Sequence, residues 1–405
     1  MKLFTSFFVF SILLCTALNA QTYAEGCNGF RYAYEVFDNY DMETVKYAKT
    51  IPENSDLYVD IYQPKNDNVS KRPLVILAHG GSFIAGNKSD MLPFCEYFVK
   101  RGFVVASIQY RLLAAFPTQS AFTAAAFKAV SDMKGAYRFF KSDAANANSY
   151  KVDTTKIFVG GLSAGAITAL HATYLDTNDN LEPNIRTLVI ANGGFKGNTG
   201  DAENKTHIED DIFATINMSG ALISKGLLSP DDPMLMSYHG DMDDVVPVDS
   251  NSVFGLIYLY GSRTIHKEAQ EKGIPNTLTL APGGLHTDIY TEPKFIPYLT
   301  QFLLNSTNLY YPRLCGTSAS NKSVEKVDIV TRMYPNPASN HVNFEFKSKI
   351  DEVWVLNTMG ELVFRKTIKS EYLTLTASEL ASGNYFLVPI IGQSGYRSIP
   401  FTIVK

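Results

Sequence analysis

The stretch "KIFVGGLSAGAIT", residues 156–168, decides the fold prediction because a strand pattern passes there directly into a helix pattern. It begins with β-branched and aromatic residues, and at its centre Ser163 has a glycine two positions away on each side. A tight strand–turn–helix elbow exposes a serine in this way, and the glycines leave room for the sharp turn and close backbone packing. This pentapeptide also arises by chance, so a glycine-rich turn without a catalytic role is the alternative interpretation until the surrounding pattern is considered.

Strand-like and helix-like segments alternate around this elbow, between residues 57 and 304. The predicted strands are "LYVDIYQP", "RPLVILAHGG", "FVVASIQYR", "KIFVGGLS", "TLVIANGG", "PMLMSYHG" and "TLTLAPGG". The predicted helices are one containing Cys95, one over residues 118–145, "SAGAITALHATYL", "NSVFGLIYLYGSRTIHKEAQEKG" and "PKFIPYLTQFLL". Apolar strands alternating with helices predict an α/β fold with a doubly wound, mostly parallel sheet covered on both faces. Sites in such sheets form at the carboxyl ends of the strands.

Length and composition limit the class of protein. The 405 residues, 45% hydrophobic and 19% charged, are enough for one large globular domain and a small one. A net charge of −4 provides no basic field, so we expect no nucleic-acid partner. Residues 1–20 combine Lys2, a short apolar stretch and small residues before a cleavage point, which predicts a signal peptide and export.

Export permits disulfides, and three cysteines remain after residue 20. Cys27 and Cys315 lie near the two ends of the main body of the chain, whereas Cys95 follows an apolar helical pattern. We expect Cys27 and Cys315 to be bonded and Cys95 to be buried and free. Two unrelated free thiols are the alternative.

The composition changes near the carboxyl end of the chain. Residues 306–328 are rich in Ser, Asn, Lys and Thr, as is typical of a linker. Short segments of alternating polar and apolar residues follow, which indicates strands. We therefore divide the mature chain into an α/β domain over residues 21–315, a linker over 316–328 and a small β-sandwich over 329–405.

A second glycine-rich loop, "LAHGGSFIAGN", ends an earlier predicted strand. A tetrahedral acyl intermediate carries an oxyanion, which needs preorganised N–H donors. We expect the amides of Gly81, Ser82 and Ala164 to provide them, and His79 to order the loop. A loop that only caps a helix is the alternative.

His286 is the best candidate base among seven histidines because it follows a late strand on a glycine-containing loop, in "APGGLHTDIY". A carboxylate beside it would fix its tautomer and stabilise the imidazolium. The preceding strand loop, "SYHGDMDDVVPVDS", offers Asp243, with Asp244 as the alternative. These choices give the chain order serine, acid, histidine.

The motifs "HGGSF", "GLSAG", "HGDMDDVVP" and "GGLH" resemble those of α/β-hydrolase carboxylesterases with an HGG-type oxyanion loop, although Ser82 replaces the usual third glycine. The resemblance implies Ser163 as nucleophile, His286 as base and Asp243 as acid, with Gly81, Ser82 and Ala164 as oxyanion donors. It implies no cofactor and no metal.

The last segment is similar to the sorting domain of type IX secretion cargo, on "YPNPASNHVNFEF", "VLNTMGELV" and the final "GNYFLVPII…FTIVK". This resemblance implies the type IX machinery as a partner. It also implies export through the periplasm to a secreted or cell-surface location. A β-sandwich that binds carbohydrate is the alternative.

These features together predict a secreted serine esterase that hydrolyses carboxylic esters. A serine peptidase of the prolyl-oligopeptidase type and a non-catalytic binding protein on the same fold are the alternatives. The segment over residues 195–232, taken as an insertion between two sheet strands, begins polar and acidic, unlike a lipase lid. We therefore expect short or medium acyl groups on small molecules or on polysaccharides.

Overall fold

The computed structural model describes residues 23–27, 31–113, 118–205, 211–316, 329–357, 362–391, 394–395 and 398–405. The predicted signal peptide and most of the predicted linker lie outside these ranges. No helix in the described ranges is long and apolar enough to cross a membrane.

Strands and helices alternate through the larger domain. Its strands are β1 (Tyr40–Lys49), β2 (Asp56–Pro64), β3 (Arg72–Ala78), β4 (Val104–Ile108), β5 (Val152–Leu162), β6 (Ile212–Met218), β7 (Ala221–Leu222), β8 (Met234–Gly240), β9 (Ser250–Val253), β10 (Ile257–Gly261) and β11 (Asn276–Ala281). Its helices are α1 (Leu92–Val99), α2 (Gln119–Ala145), α3 (Ala164–Tyr174), α4 (Pro183–Ala191), α5 (Ser262–Lys272), α6 (Asp288–Thr291) and α7 (Ile296–Cys315).

The main sheet has the strand order β1-β2-β4-β3-β5-β6-β8-β11. From β4 to β11 every neighbouring pair is parallel, whereas β1 and β2 form an antiparallel edge. The predicted mostly parallel α/β sheet is confirmed. The carboxyl ends of β3, β5, β8 and β11 lie along one edge, which brings the four sequence motifs to the same side of the molecule.

Both faces of the sheet are buried, as the continuous apolar strands predict. In β3, Leu74 and Ile76 belong to one apolar cluster, which also contains residues of α2 and α3. Val75 and Leu77 belong to a second cluster with residues of α1 and α7. Because alternate strand residues point to opposite faces, the two clusters are the two layers between the sheet and its helices.

The segment "TLVIANGG" is not a strand, which corrects the prediction. It lies in α4, which begins at Pro183 and buries Val189 while leaving Ile190 exposed. Ile185, Leu188 and Val189 pack against a common cluster and are spaced three and four residues apart, which is helical spacing.

The central strand after β5 is instead β6, inside the segment predicted to be an insertion. Residues 214–218 of β6 are buried between β5 and β8. Thr215 and Asn217 interrupt its apolar pattern, but both find hydrogen-bond partners on other elements. Such partners are not visible in the local sequence, which is why the strand was missed.

The predicted helix over residues 251–273 begins eleven residues late, at Ser262. The preceding residues form an antiparallel hairpin of β9 and β10, and β10 also pairs with β7. Phe254 and Gly255 both have positive φ, at 53° and 67°, and turn the chain between the two strands. A glycine at such a position favours a turn over a helix.

Helix α7 continues to Cys315, so residues 306–315 are helical and do not belong to the linker. Phe302, Ser306, Tyr310 and Leu314 are its buried residues, one every four positions, and the polar residues between them had suggested a linker. Cys315 is bonded to Cys27 with an S–S distance of 2.03 Å, and Cys95 is buried and free. The predicted disulfide pairing is confirmed.

The carboxyl-terminal region is a separate antiparallel β domain, as predicted. Its strands are β12 (Val330–Tyr334), β13 (His341–Asn357), β14 (Leu362–Thr376), β15 (Gly383–Ile391), β16 (Ser394–Gly395) and β17 (Ile399–Ile403). The long strand β13 pairs with β12, β14 and β15. On one face Trp354 and its neighbours form a small apolar cluster against which Tyr34 and Val36 of the larger domain pack.

Candidate active site

Ser163 stands at the elbow between β5 and α3. Its backbone has φ 55° and ψ −117°, an unfavourable conformation for a residue with a side chain. The amide of Ser163 donates to the carbonyl of Met218 at 2.8 Å, which ties the elbow to the end of β6. Strain of this kind persists only where the surrounding structure enforces it, and it is common at functional sites.

The flanking glycines allow the elbow to approach β3. A Cβ atom on Gly161 would lie 2.5 Å from the carbonyl oxygen of Ala78, and one on Gly165 would lie closer still to the same oxygen. No side chain fits at either position. The two glycines therefore serve the close backbone packing that the sequence predicted.

His286 lies between Ser163 and Asp243. Its Nε2 is 2.8 Å from Ser163 Oγ, and its Nδ1 is 2.7 Å from Asp243 Oδ2. Because a carboxylate only accepts hydrogen bonds, Nδ1 carries the proton and Nε2 is free to accept one from the serine hydroxyl. This is the tautomer that a general base needs.

Asp243 is held by three hydrogen bonds and one further close contact from a histidine. The amides of Val245 and Val246 donate to Oδ1 at 2.9 and 2.8 Å, while His286 and His239 approach Oδ2. Burial alone would raise the pKa of Asp243. The hydrogen bonds from His239 and His286 outweigh burial and hold the pKa of Asp243 well below its ordinary value. Asp244, the sequence alternative, is exposed.

The loop after β3 passes beside the elbow. A Cβ on Gly80 would lie 3.4 Å from the Cβ of Ser163. Ser82 and Phe83 both have positive φ, and the amides of Ile84 and Ala85 both donate to the carbonyl of Gly81. These two bonds close a tight turn around Ser82 and Phe83.

The three predicted oxyanion donors are the amides of Gly81, Ser82 and Ala164. Within the described part of the chain, none of them donates to a protein acceptor. Amides that begin a helix or cross a tight turn favour anion binding. His79 has the ordering position that the sequence predicted: its Nδ1 is 2.7 Å from Gly80 O, and its ring stacks on Tyr110.

The contact between His239 and Asp243 was not predicted from the sequence, where His239 was considered only as a candidate base. Its Nε2 is 3.1 Å from Asp243 Oδ2 and the side chain is fully buried. Its position four residues before Asp243, at the end of β8, was the available signal. His171, another buried histidine, has no such role: it bonds to Ile167 O within α3, and burial lowers its pKa to about 4.

Residues 59–255 match the BD-FAE family model, and residues 332–396 match the model of the Secretion system C-terminal sorting domain. The chain carries a BD-FAE domain and a sorting domain. The BD-FAE match includes Ser163 and Asp243 and ends before His286. The larger domain has an esterase-like hydrolase fold. The sorting domain marks the protein for secretion or cell-surface export through the type IX system.

Solved structures similar to this chain include esterase 2 of Thermogutta terrifontis. Its propionate-bound form is 20% identical with a TM-score of 0.48, covering 67% of this chain and 95% of that chain. Its paraoxon-phosphorylated form is 22% identical with a TM-score of 0.46, covering 68% and 95%. Likeness at this level does not extend to substrate or mechanism.

Two much longer curated proteins match part of this chain in sequence. Non-reducing polyketide synthase atr1 of Stereocaulon alpinum is 26% identical over 160 residues, 37% of this chain and 6% of that protein. Non-reducing polyketide synthase Preu6 of Preussia isomera is 33% identical over 78 residues, 18% of this chain and 3% of that protein. The chain thus spans only a small fraction of the length of these relatives.

Proposed function

We propose that this protein is a secreted serine esterase that hydrolyses carboxylic esters through an acyl-enzyme on Ser163. The observation that carries the proposal is the hydrogen-bonded series from Asp243 through His286 to Ser163, in which His286 Nδ1–H donates to Asp243 and the Ser163 hydroxyl donates to His286 Nε2. A serine hydroxyl is a poor nucleophile until a base takes its proton. Here the base already lies at hydrogen-bond distance and has the required tautomer.

In the acylation step, Ser163 Oγ attacks the ester carbonyl carbon while His286 Nε2 takes the hydroxyl proton. The buried carboxylate of Asp243 stabilises the imidazolium that results. The proton then passes from His286 to the leaving alcohol oxygen, the bond between the carbonyl carbon and that oxygen breaks, and the acyl group stays on Ser163. Water repeats the sequence and releases the acid, with His286 again as base.

The negative charge that develops on the carbonyl oxygen needs fixed donors. The amides of Gly81, Ser82 and Ala164 are available for it, and the first turn of α3 adds a favourable dipole. Such donors cost no reorganisation during the reaction because backbone packing already holds them. Replacing the commonest third glycine by Ser82 leaves the backbone N–H in place.

For the substrate we propose esters of short or medium acyl groups, on small molecules or linked to polysaccharides. Ile84, Met242 and Leu285 are exposed large apolar side chains, and each lies within two residues of a proposed site residue. They offer a few apolar contacts beside the site rather than the broad apolar surface that a lid opening onto fat would present.

Hydrolysis of para-nitrophenyl acetate by the mature chain tests the proposal, together with labelling by a fluorophosphonate and mapping of the labelled peptide. We expect turnover and a label on Ser163. Absence of both would contradict the esterase proposal, and preferential cleavage of an aminoacyl peptide would favour the peptidase. A panel of para-nitrophenyl esters of increasing acyl length, with acetylated and feruloylated xylan, would define the substrate.

A further inference from the structure

His239 is a buried histidine that the proposed mechanism does not use, and both of its ring nitrogens are bonded. Its Nε2 lies 3.1 Å from Asp243 Oδ2 and 3.0 Å from the carbonyl oxygen of Val246. Its Nδ1 lies 2.7 Å from Ser262 Oγ. The side chain is fully buried at the end of β8. A histidine at this position has a structural or functional reason beyond filling space.

The partners of His239 fix where its proton lies. A carboxylate and a carbonyl only accept hydrogen bonds, so Nε2 carries the hydrogen. Asn217 Nδ2 donates to Ser262 Oγ at 2.9 Å, which leaves the Ser262 hydroxyl free to donate to His239 Nδ1. The amide of Gly220 in turn donates to Asn217 Oδ1 at 2.9 Å and fixes the orientation of that side chain.

A buried series of donors therefore runs toward Asp243 from the side opposite His286. It begins at Asn217 on β6, passes through Ser262 at the start of α5, and ends at His239 on β8. All its members are fully buried. Networks in such surroundings are strong when every member is satisfied, as here.

The two carboxylate oxygens of Asp243 are held differently. Backbone amides of Val245 and Val246 hold Oδ1, whereas the contacts of Oδ2 within the described residues are His286 Nδ1 and His239 Nε2, whose single hydrogen is shared with the carbonyl of Val246. Without His239, the orientation of Oδ2 would depend on His286, the group that must exchange a proton in each catalytic cycle. His239 provides an anchor for Oδ2 that does not take part in proton transfer.

We propose that His239 is a positioning residue that holds Asp243 Oδ2 against His286, with Ser262 and Asn217 fixing its tautomer. This inference rests on the proposed esterase function. It concerns the geometry of the acid, so removing His239 should lower kcat and leave KM unchanged. Substrate binding does not involve this buried side of Asp243.

Three substitutions at one position test it. His239→Leu fills the buried position with an apolar side chain and removes both ring nitrogens. His239→Gln can place an amide N–H near the position of Nε2, whereas His239→Asn is too short to reach Asp243. We expect Leu and Asn to lower kcat by about 10- to 100-fold, the effect of losing a hydrogen bond to a charged group. Gln should recover activity to within about fivefold of the parent.

His171→Leu is the matched control, since His171 is equally buried but belongs to α3 and contacts no proposed site residue. Rates are normalised to the amount of Ser163 that a fluorophosphonate labels, so loss of folded protein does not count as loss of kcat. His171→Leu should keep kcat within about twofold, whatever its effect on the melting temperature.

The inference is overturned if folded His239→Leu keeps kcat within twofold, or if Gln and Asn are equally impaired. If Leu does not fold, the comparison of Gln with Asn decides. A loss in His171→Leu as large as in His239→Leu would also overturn it, because any buried histidine would then matter equally. A parent chain that neither hydrolyses esters nor labels at Ser163 would instead overturn the proposed function.

Discussion

The two domains differ in what they bury. Every described residue that is both buried and polar or charged lies before residue 307, and the described part of the sorting domain contributes none. In the larger domain several of these side chains meet at the carboxyl edge of the sheet, around Asp243. The sorting domain has a core of side chains such as Phe344, Leu387 and Phe401.

Apolar burial stabilises both domains, whereas the buried polar groups that could support catalysis lie in the larger domain. An apolar core stabilises in proportion to its buried area and tolerates changes that keep its volume. A buried polar network costs free energy unless each group is paired, but it fixes side chains in one arrangement. We therefore expect changes in the larger domain's network to affect catalysis, and changes in the sorting domain to leave catalysis intact.

The largest effect should come from Ser163→Ala, which removes the nucleophile. We expect kcat for para-nitrophenyl acetate to fall about 10⁴- to 10⁶-fold while the circular dichroism spectrum is unchanged. Ser306→Ala is the control, because Ser306 is a buried serine whose hydroxyl has no partner within the described residues. Retention of more than about a tenth of the parent activity in Ser163→Ala would contradict the assignment.

Asp243→Asn should be nearly as severe, because an amide facing His286 favours the wrong tautomer. A fall in kcat of about 10³- to 10⁴-fold is expected. Asp244→Asn, an exposed neighbour, should stay within about twofold of the parent. Steady-state kinetics at one pH decides the matter: if Asp244→Asn is the more impaired of the two, the acid has been assigned wrongly.

Changes confined to the sorting domain should leave hydrolysis intact. Phe344 is fully buried and packs edge-on against Phe401 with ring centroids 5.4 Å apart. Phe344→Ala in the full chain should destabilise that domain by about 3–5 kcal/mol. Emission of Trp354, the only tryptophan, should report the change, while specific activity stays within about twofold.

A chain ending near residue 320 completes this test, because it lacks the tryptophan and every sorting-domain contact. It should keep specific activity within about twofold, since all proposed site residues precede residue 287. Tyr34 and Val36 lose their neighbours in this form, so a lower melting temperature would not by itself count against the prediction. A folded but inactive truncated chain would show that the sorting domain contributes to the site.

The smallest effect concerns pH. Burial raises the pKa of Asp179 to about 6, although an amide hydrogen bond from Asp176 opposes the shift. Because the folded-state pKa lies above the unfolded value of about 3.9, the stabilisation is complete below about pH 4 and is lost as the pH rises through about 6. Asp179→Asn should therefore raise the melting temperature by roughly 1–3 °C at pH 7.5 and leave it unchanged near pH 4.

Activity-based melting curves at both pH values would measure this, with Trp354 emission as the reference for the sorting domain. Asp244→Asn, which changes an exposed carboxylate to the same amide, is the matched control for the substitution itself. If Asp179→Asn raises the melting temperature equally at both pH values, the charge of the carboxyl group is not the cause of the stabilisation.

Most of the fold could be predicted because its strands are continuous apolar runs and its helices follow helical spacing. β3 and the second half of β5 are in this group, as is α2, whose predicted start at residue 118 is the capping Thr118. The errors fall where the pattern is mixed. β6 contains buried Thr215 and Asn217, and α4 has a β-branched sequence with helical spacing.

By itself the sequence determined the elbow pattern, the glycine-rich loop and the order of serine, acid and histidine, and it predicted the pairing of Cys27 with Cys315 that the structure contains. Each of these depends on residue types at short spacing or on their order in the chain. Only the tertiary structure placed β6 in the sheet, set the Asp243 carboxylate beside His286 while leaving Asp244 exposed, and brought His239 to Asp243. The physical reason is that a buried polar group is stable only when partners from other elements satisfy it, and those partners meet only after the chain has folded.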